Sequence, residues 1–454
     1  MDEKADITGR LSDYIVGEEP ERVPQHVRQR AQLHILDTIG AMLSGSLLKV
    51  GRVAIEFARS QGGRPESSVV ASDVKTNAVQ AALANGMLAH ADETDDAHFS
   101  TVTHPGSVVV PAALAVGERE HRSGKELITA VILGYDIMCR TNKGLDRDWM
   151  SQRGLHPGSI CAGFGAVAVA ARLLRLPAIQ TRYALAFTGT QASGLNTWRQ
   201  DPEHIDKALC YSGIPARNGV TAALWAQAGF TATSAIFEGP DNLFRAFCNE
   251  AQPMELIQDL GSRYEILDTS IKKYPAGQPV QATLEGYFRL VKEHGLKAED
   301  IREILVRLPA SQARTVNDRL MPDVNCQYLL AVAMLDGAID FANAHDFERM
   351  RAADVLEMKK RVRLAADPEL TRKHPAVRAA IVELTTSDGR HFETLVDPLP
   401  GAPYNPLPAG EVERKFLSLS APTLGEKRAE TALERLRELE NLFDVATLLD
   451  SLRV

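Results

Sequence analysis

Cysteine is scarce in this chain: Cys139, Cys161, Cys210, Cys248 and Cys326 are the only five in 454 residues, and they lie far apart. No two stand at the close spacing of zinc or iron–sulfur motifs, and five cannot all pair within one chain, so a reduced, cytoplasmic protein with no metal cluster is expected. Excess positive charge is absent too. Lys and Arg number 51 against 59 Asp and Glu, a net charge of -8, which excludes a nucleic-acid footprint and a polybasic membrane patch. Long apolar runs are missing as well. The longest, such as residues 162–171, fall short of the ~20 residues a membrane helix needs and are rich in Gly and Ala, so they read as buried helices. The N-terminus, MDEKADITGRL, has no apolar signal core, which argues against secretion. A G-x-S-x-G elbow, a P-loop and a G-x-G-x-x-G after a strand are all lacking, and with them go the common hydrolase, kinase and dehydrogenase readings.

What is present concentrates in residues 85–107, NGMLAHADETDDAHFSTVTHPGS, where His90, Asp92, Glu93, Asp95, Asp96, His98 and His104 crowd between two apolar segments. The acidic residues fit a solvated surface turn, a hard-cation site or a catalytic loop; EF-hand spacing and its turn glycine are lacking. The closing tetrapeptide His104-Pro105-Gly106-Ser107 recurs as His156-Pro157-Gly158-Ser159, and a small-residue apolar run follows each copy. Proline suits the first helical position, so each copy reads as a histidine at the start of a buried helix. Free N–H groups and the helix dipole make such a start favourable for a carboxylate or phosphate. Two of them bearing imidazoles point to acid/base chemistry on an anionic substrate.

The length suggests two or three domains. Apolar residues at helical spacing predict helices over 23–45, 77–91, 108–118, 124–142, 160–174, 178–194, 218–228 and 243–248, so residues 1–264 read as an all-helical domain. Alternation then appears in EILVRL (303–308), KRVRL (360–364) and AIVELT (380–385); the last is followed by a turn at Ser387-Asp388-Gly389 and a strand over 391–396. With helices over 279–294 and 326–342 interleaved, residues 265–400 read as a smaller α+β domain. DPLPGAPYNPLP (397–408) is a linker, and the C-terminal stretch, 401–454, carries amphipathic helices over 411–419 and 427–449 that are expected to return to the helical domain.

Single residues carry competing readings. His156 fits a helix cap as well as a catalyst. An exposed lysine is the ordinary expectation for Lys207, but the run after it is mostly small and apolar, which also suits a buried cation facing an anion. Lys272 and Lys273, before Tyr274-Pro275, fall at the expected domain junction, where ligand sites gather. Tyr328 opens a helix, and packing accounts for its spacing.

These residues resemble a known family. NGMLAHADETDD (85–96), HPGSVVVPAALAVGE (104–118), Gly134-Tyr135-Asp136, GLHPGS from Gly154, the K-x-x-x-x-x-G-x-x-A-R-N-G-V run from Lys207, KKYPAG from Lys272 and Lys415-Phe416 follow in order the pattern of the MmgE/PrpD family, whose members include 2-methylcitrate dehydratase, cis-aconitate decarboxylase and iminodisuccinate epimerase. The resemblance implies a mainly α protein, with a large all-helical domain, a smaller α+β lid domain and a homodimeric assembly. It implies cofactor-independent, metal-free proton transfer next to a carboxylate of a small di- or tricarboxylate. Its catalytic positions fall on Glu93, His104, His156, Lys207, Lys272 and Tyr328, and His90, Asp95, Asp96, Ser159 and Lys273 are expected to bind substrate. The chain departs from the pattern at Glu93-Thr94-Asp95-Asp96-Ala97, where Asp-aromatic-Asp-Asp-Thr is usual, and at Gly158, where threonine is common. Dehydration is the expected reaction; epimerisation, decarboxylation or a catalytically silent carboxylate binder are the alternatives.

Overall fold

The computed structural model describes residues 6–454, so the first five residues of the polar N-terminus lie outside the described residues. Two compact units make up the chain. The first gathers the described residues up to Ala91, Asp95–Thr269 and Val412–Val454; the second holds Asp92–Thr94 and Ser270–Glu411.

The first unit is helical. Its main helices are α1 (Ile7–Gly17), α2 (Gln25–Gly45), α3 (Lys49–Gln61), α4 (Ala78–Ala89), α5 (Gly106–Arg119), α6 (Gly124–Gly144), α7 (Pro157–Leu173), α8 (Ala178–Thr190) and α9 (Ile214–Gln227). Almost every residue of α5, α6 and α7 is buried; α5 and α7 are largely apolar all round, while α6 buries Asp136, Arg140 and Asn142 as well. Their starts are specified locally. Asn77 caps α4, and Ser123 with Glu126 forms a capping box on α6. The Gly-Tyr-Asp motif of α6 is architectural: Tyr135 donates to Asp96, while Asp136 accepts from the Tyr14 hydroxyl at 2.8 Å and the Glu265 N–H at 2.7 Å. Burial, with Glu265 nearby and Arg140 and these donors opposing, pushes the Asp136 carboxyl up to about 7.

The second unit is built on a four-stranded sheet: β1 (Ile301–Leu308), β2 (Val362–Ala366), β3 (Ala380–Thr386) and β4 (His391–Val396), in the order β2-β1-β3-β4. β1 runs parallel to β2 and antiparallel to β3, and β3–β4 is the hairpin expected from the Ser-Asp-Gly turn. Burial alternates along β3, the signature of a sheet with one covered face. Helices α10 (Gln281–His294) and α11 (Cys326–Asp336) belong to this unit. The helix Ala409–Leu424 begins as the second unit ends and is followed in the first by Glu426–Arg437 and Ala446–Ser451. The mainly α class with a smaller α+β part is thus the observed one. The five cysteines are unpaired. No single helix among the described residues is long and apolar enough to cross a membrane; α2 and α3 meet that test only as a pair bent by 88°.

Candidate active site

In the first unit the chemistry gathers where α4 ends and α5 begins. His90 is the C-cap of α4, and its Nδ1 lies 2.9 Å from Asp95 Oδ2. The other Asp95 oxygen lies 3.2 Å from Nδ1 of His104, two residues before α5. One buried carboxylate therefore faces two imidazoles. The hydrogen bond at His90 Nδ1 holds the proton there and leaves its Nε2 open, while His104 stands at ion-pair distance from the same carboxylate. His90 is fully buried and its Nε2 has no hydrogen-bond partner among the described residues, whereas the His104 side chain keeps 12% of its surface open. Burial lowers the pKa of His90, with Asp95 opposing.

A second strand of the cluster comes from a distorted helix. Ile205–Ala208 is α-helical, Leu209–Gly213 opens into a π turn, and α9 continues. Pro215 has no N–H to return to the preceding turn, and the Ile214 N–H bonds instead to the Leu209 carbonyl, five residues back. This stretch carries Lys207 and, one turn on, Tyr211. The Tyr211 ring centroid stands 5.0 Å from His90, 5.5 Å from His104 and 4.6 Å from His156. Lys207, 9% exposed, places Nζ 5.2 Å from the Trp198 ring centroid and 5.9 Å from that of Tyr211, within cation–π range.

His156 is the N-cap of α7: its Nδ1 accepts the Ser159 N–H at 3.1 Å and lies 2.8 Å from Ser159 Oγ. An Nδ1 that accepts a backbone N–H carries no proton, so the neutral ring has its hydrogen on Nε2, an assignment made from the network. Burial, followed by the charges of Lys207 and Arg199, depresses His156 to about 3, so it stays neutral near neutrality. His156 is therefore built as an Nε2–H donor. Gly158 makes room for this arrangement, because a Cβ there would lie 2.8 Å from Tyr211 Oη and 3.0 Å from His156 Cε1.

The second unit holds its own cluster. Lys272, with its side chain fully buried, donates from Nζ to the Glu93 carbonyl at 2.6 Å and stands 3.9 Å from Glu93 Oε2. The Glu93 N–H reaches Asp323 Oδ2 at 3.3 Å. Asp92 accepts from the Thr94 N–H and hydroxyl, and lies 2.8 Å from His345 Nε2.

His104, His156 and Lys207 thus converge around Tyr211, and Glu93 meets Lys272. Other expected site residues have different partners. Asp96 accepts the Gly106 N–H at 3.0 Å, the Tyr135 hydroxyl at 2.5 Å and contacts His34 Nδ1 at 2.8 Å, so it anchors the start of α5. Ser159 is spent on the His156 cap. Lys273 pairs with Glu285 of α10 at 2.7 Å. Tyr328 is buried and its hydroxyl donates to the Asn343 carbonyl at 2.5 Å. Tyr211, Trp198, Asp323 and His345 escaped the sequence reading. Only Tyr211 left a signal, its helical spacing from Lys207.

Two groups in the first unit have donor atoms close enough to share a cation: His90, Asp95 and His104, and His98, Glu265 and Asp268. In the first, both Asp95 oxygens already face imidazole nitrogens. In the second, the Lys143 ammonium stands 2.6 Å from Glu265 Oε2, where a metal would compete with it.

The helical unit with its histidine–carboxylate cluster and the smaller α+β unit define one class: the chain belongs to the MmgE/PrpD family, whose N-terminal domain model matches residues 9–256 and whose C-terminal domain model matches residues 274–441. It is similar to the cis-aconitate decarboxylase of Homo sapiens, 27% identical over 465 residues that cover 97% of this chain and 93% of the relative. It is also similar to the cis-aconitate decarboxylase of Aspergillus terreus (strain NIH 2624 / FGSC A1156), 23% identical over 477 residues, 99% of this chain and 96% of the relative.

Proposed function

We propose that this protein is a cofactor-independent lyase acting on a small di- or tricarboxylate, with loss of CO₂ as its reaction. The observation that supports this most is the Asp95 carboxylate facing both His90 and His104, beside His156 fixed as an Nε2–H donor. His104 is the acid/base of this reading. In decarboxylation the bond from carbon to one carboxylate breaks, CO₂ departs and the electron pair stays on a carbon conjugated to a remaining carboxylate. A proton from His104 Nε2 then completes the product, and Asp95 stabilises the imidazolium that donates it. Lys207 and the His156 Nε2–H offset the negative charge that builds on the carboxylate oxygens. Lys272 and Glu93 are proposed to serve the same turnover. Dehydration, the reaction that the family resemblance implies, passes through a similar carbanion, with His104 removing the C–H proton; the decarboxylase relatives favour CO₂ loss over it.

Incubating the protein in D₂O with cis-aconitate, 2-methylcitrate and related acids separates CO₂ release, water loss and simple exchange. H104A, H156A and K207A are expected to lower kcat by ~10²–10⁴ while Tm stays within a few degrees. Unchanged turnover in these variants overturns the assignment, and binding of acids without conversion of any would make the protein a carboxylate binder.

A further inference from the structure

The cluster in the second unit contains a histidine that the proposed reaction does not use. The His345 side chain is 9% exposed, and both its ring nitrogens face acceptors. Nδ1 stands 2.7 Å from the Phe341 carbonyl and Nε2 stands 2.8 Å from Asp92 Oδ2 and 3.8 Å from Asp323 Oδ2. A carbonyl oxygen can only accept, so Nδ1 carries a hydrogen, and the Asp92 carboxylate at ion-pair distance from Nε2 favours the doubly protonated ring. The Phe341 ring packs against it at a tilt of 32°, with centroids 4.3 Å apart. Burial alone would lower its pKa, but the Asp92 and Asp323 carboxylates outweigh that and raise it to about 9, the value of a resident imidazolium.

Each residue of the Asp92–Thr94 segment is held at a different atom. The Asp92 side chain takes His345 and, in return, the N–H and hydroxyl of Thr94. The Glu93 N–H goes to Asp323, and the Glu93 carbonyl takes the Lys272 ammonium. His345 is itself fixed from below. The Tyr328 hydroxyl donates to the Asn343 carbonyl at 2.5 Å and lies 3.3 Å from the Asp346 carbonyl, so it grips the backbone on both sides of residue 345. Burial raises the Tyr328 phenol, which keeps it a neutral donor.

We infer that His345, braced by Tyr328, is a positioning residue that clamps the Asp92–Thr94 segment and thereby fixes Glu93 against Lys272. This rests on the reading of Glu93 and Lys272 as participants in turnover. It also accounts for Tyr328 as a group that acts through a backbone loop and His345 without touching substrate. Removing the imidazole leaves the Asp92 carboxylate buried without its cation, so the segment must rearrange to rehydrate it. Glu93 and the Lys272 ammonium then lose their fixed separation, and a group displaced by about 1 Å can cost on the order of 10² in rate.

The test is hydrogen exchange at the amides of Glu93 and Thr94 in the full chain, together with kcat and KM on the acid that the wild type converts. In the wild type both amides are expected to be protected. H345A and Y328F are expected to speed their exchange by ~10-fold or more, H345A by the larger factor, with kcat falling and KM changing less. Y328F removes a single oxygen atom and carries the test if H345A does not fold. Unprotected amides in the wild type, or protection unchanged in Y328F and in any folded H345A, overturn the clamp. Conversion of no acid by the wild type would sink the proposed reaction and leave the clamp to be judged by exchange alone, whereas normal turnover in K272A alongside protected amides would remove Lys272 from the chemistry and keep the clamp.

Discussion

At the scale of single residues, the cluster around Tyr211 turns on which nitrogen of each histidine holds a proton. Asp95 faces Nδ1 of His90 and of His104, and the Ser159 N–H faces Nδ1 of His156. The two imidazoles that follow a similar rule in sequence therefore differ: His104 has a carboxylate beside Nδ1, whereas His156 has its Nδ1 lone pair taken by the helix and its hydrogen on Nε2. The repeated His-Pro-Gly-Ser reveals that both stand at helix starts but not this difference, because the distinction depends on Asp95 in one case and on the helix's own N–H in the other. Gly158 is the most sensitive point nearby. A methyl there would meet Tyr211 Oη at 2.8 Å, closer than real Cβ contacts are found, and His156 Cε1 at 3.0 Å, so the tyrosine must shift. G158A is expected to lower kcat by about 10-fold or more with a small change in Tm, as a displaced donor would. Unaltered kcat with the folded variant would show that the Tyr211–His156 spacing does not matter to turnover.

At the scale of elements, legibility followed the strength of the local pattern. The predicted helix over 23–45 is α2, Gln25–Gly45, and the strand over 391–396 is β4 to the residue, because periodicity and turn chemistry agreed there. α1 and α3 have weak local patterns: the buried set of α3, Val50, Gly51, Ala54, Ile55 and Ala58, is made mostly of small residues and is interleaved with Arg52, Glu56 and Arg59. The helix predicted over 326–342 stops at Asp336, where Gly337 adopts a left-handed φ of 74° and closes it. The π turn at Leu209–Gly213 had a cue in Pro215, but its effect of turning Tyr211 toward three histidines depends on packing. Asp92, Asp323 and His345 were illegible as a group because Glu93 and Asp323 lie 230 positions apart and no local pattern links them. Asp96 shows how a motif residue can serve an element instead of the substrate. It takes the first N–H of α5, the Tyr135 hydroxyl and the His34 ring. D96A would strand all three in a dry interior, at about 1–3 kcal/mol for each unsatisfied group. The expected result is a loss of several degrees in Tm or of soluble protein; a D96A variant as stable as wild type would return Asp96 to the list of substrate ligands.

At the scale of the whole molecule, the chain leaves the first unit at Thr269 and re-enters it at Val412, so its last 43 residues must be tied to helices formed at its beginning. Lys415 supplies that tie. Its ammonium lies 2.6 Å from Asp37 Oδ1 of α2, across 378 positions of sequence, with side-chain exposures of 7% and 0%. Burial pushes the Asp37 carboxyl up and Lys415 pulls it back only in part, so the pair carries a desolvation cost and is a poor candidate for net stabilisation. What it provides is a penalty for leaving either partner alone. K415M is expected to destabilise the first unit by about 3–5 kcal/mol, read as a fall in the denaturant midpoint, because the Asp37 carboxylate stays buried without a cation. K415M combined with D37L removes both charges and is expected to recover most of that loss. If the double variant were instead as unstable as K415M alone, the Lys415 stem and its packing, and not the charge pair, would be what joins the C-terminal helices to α2.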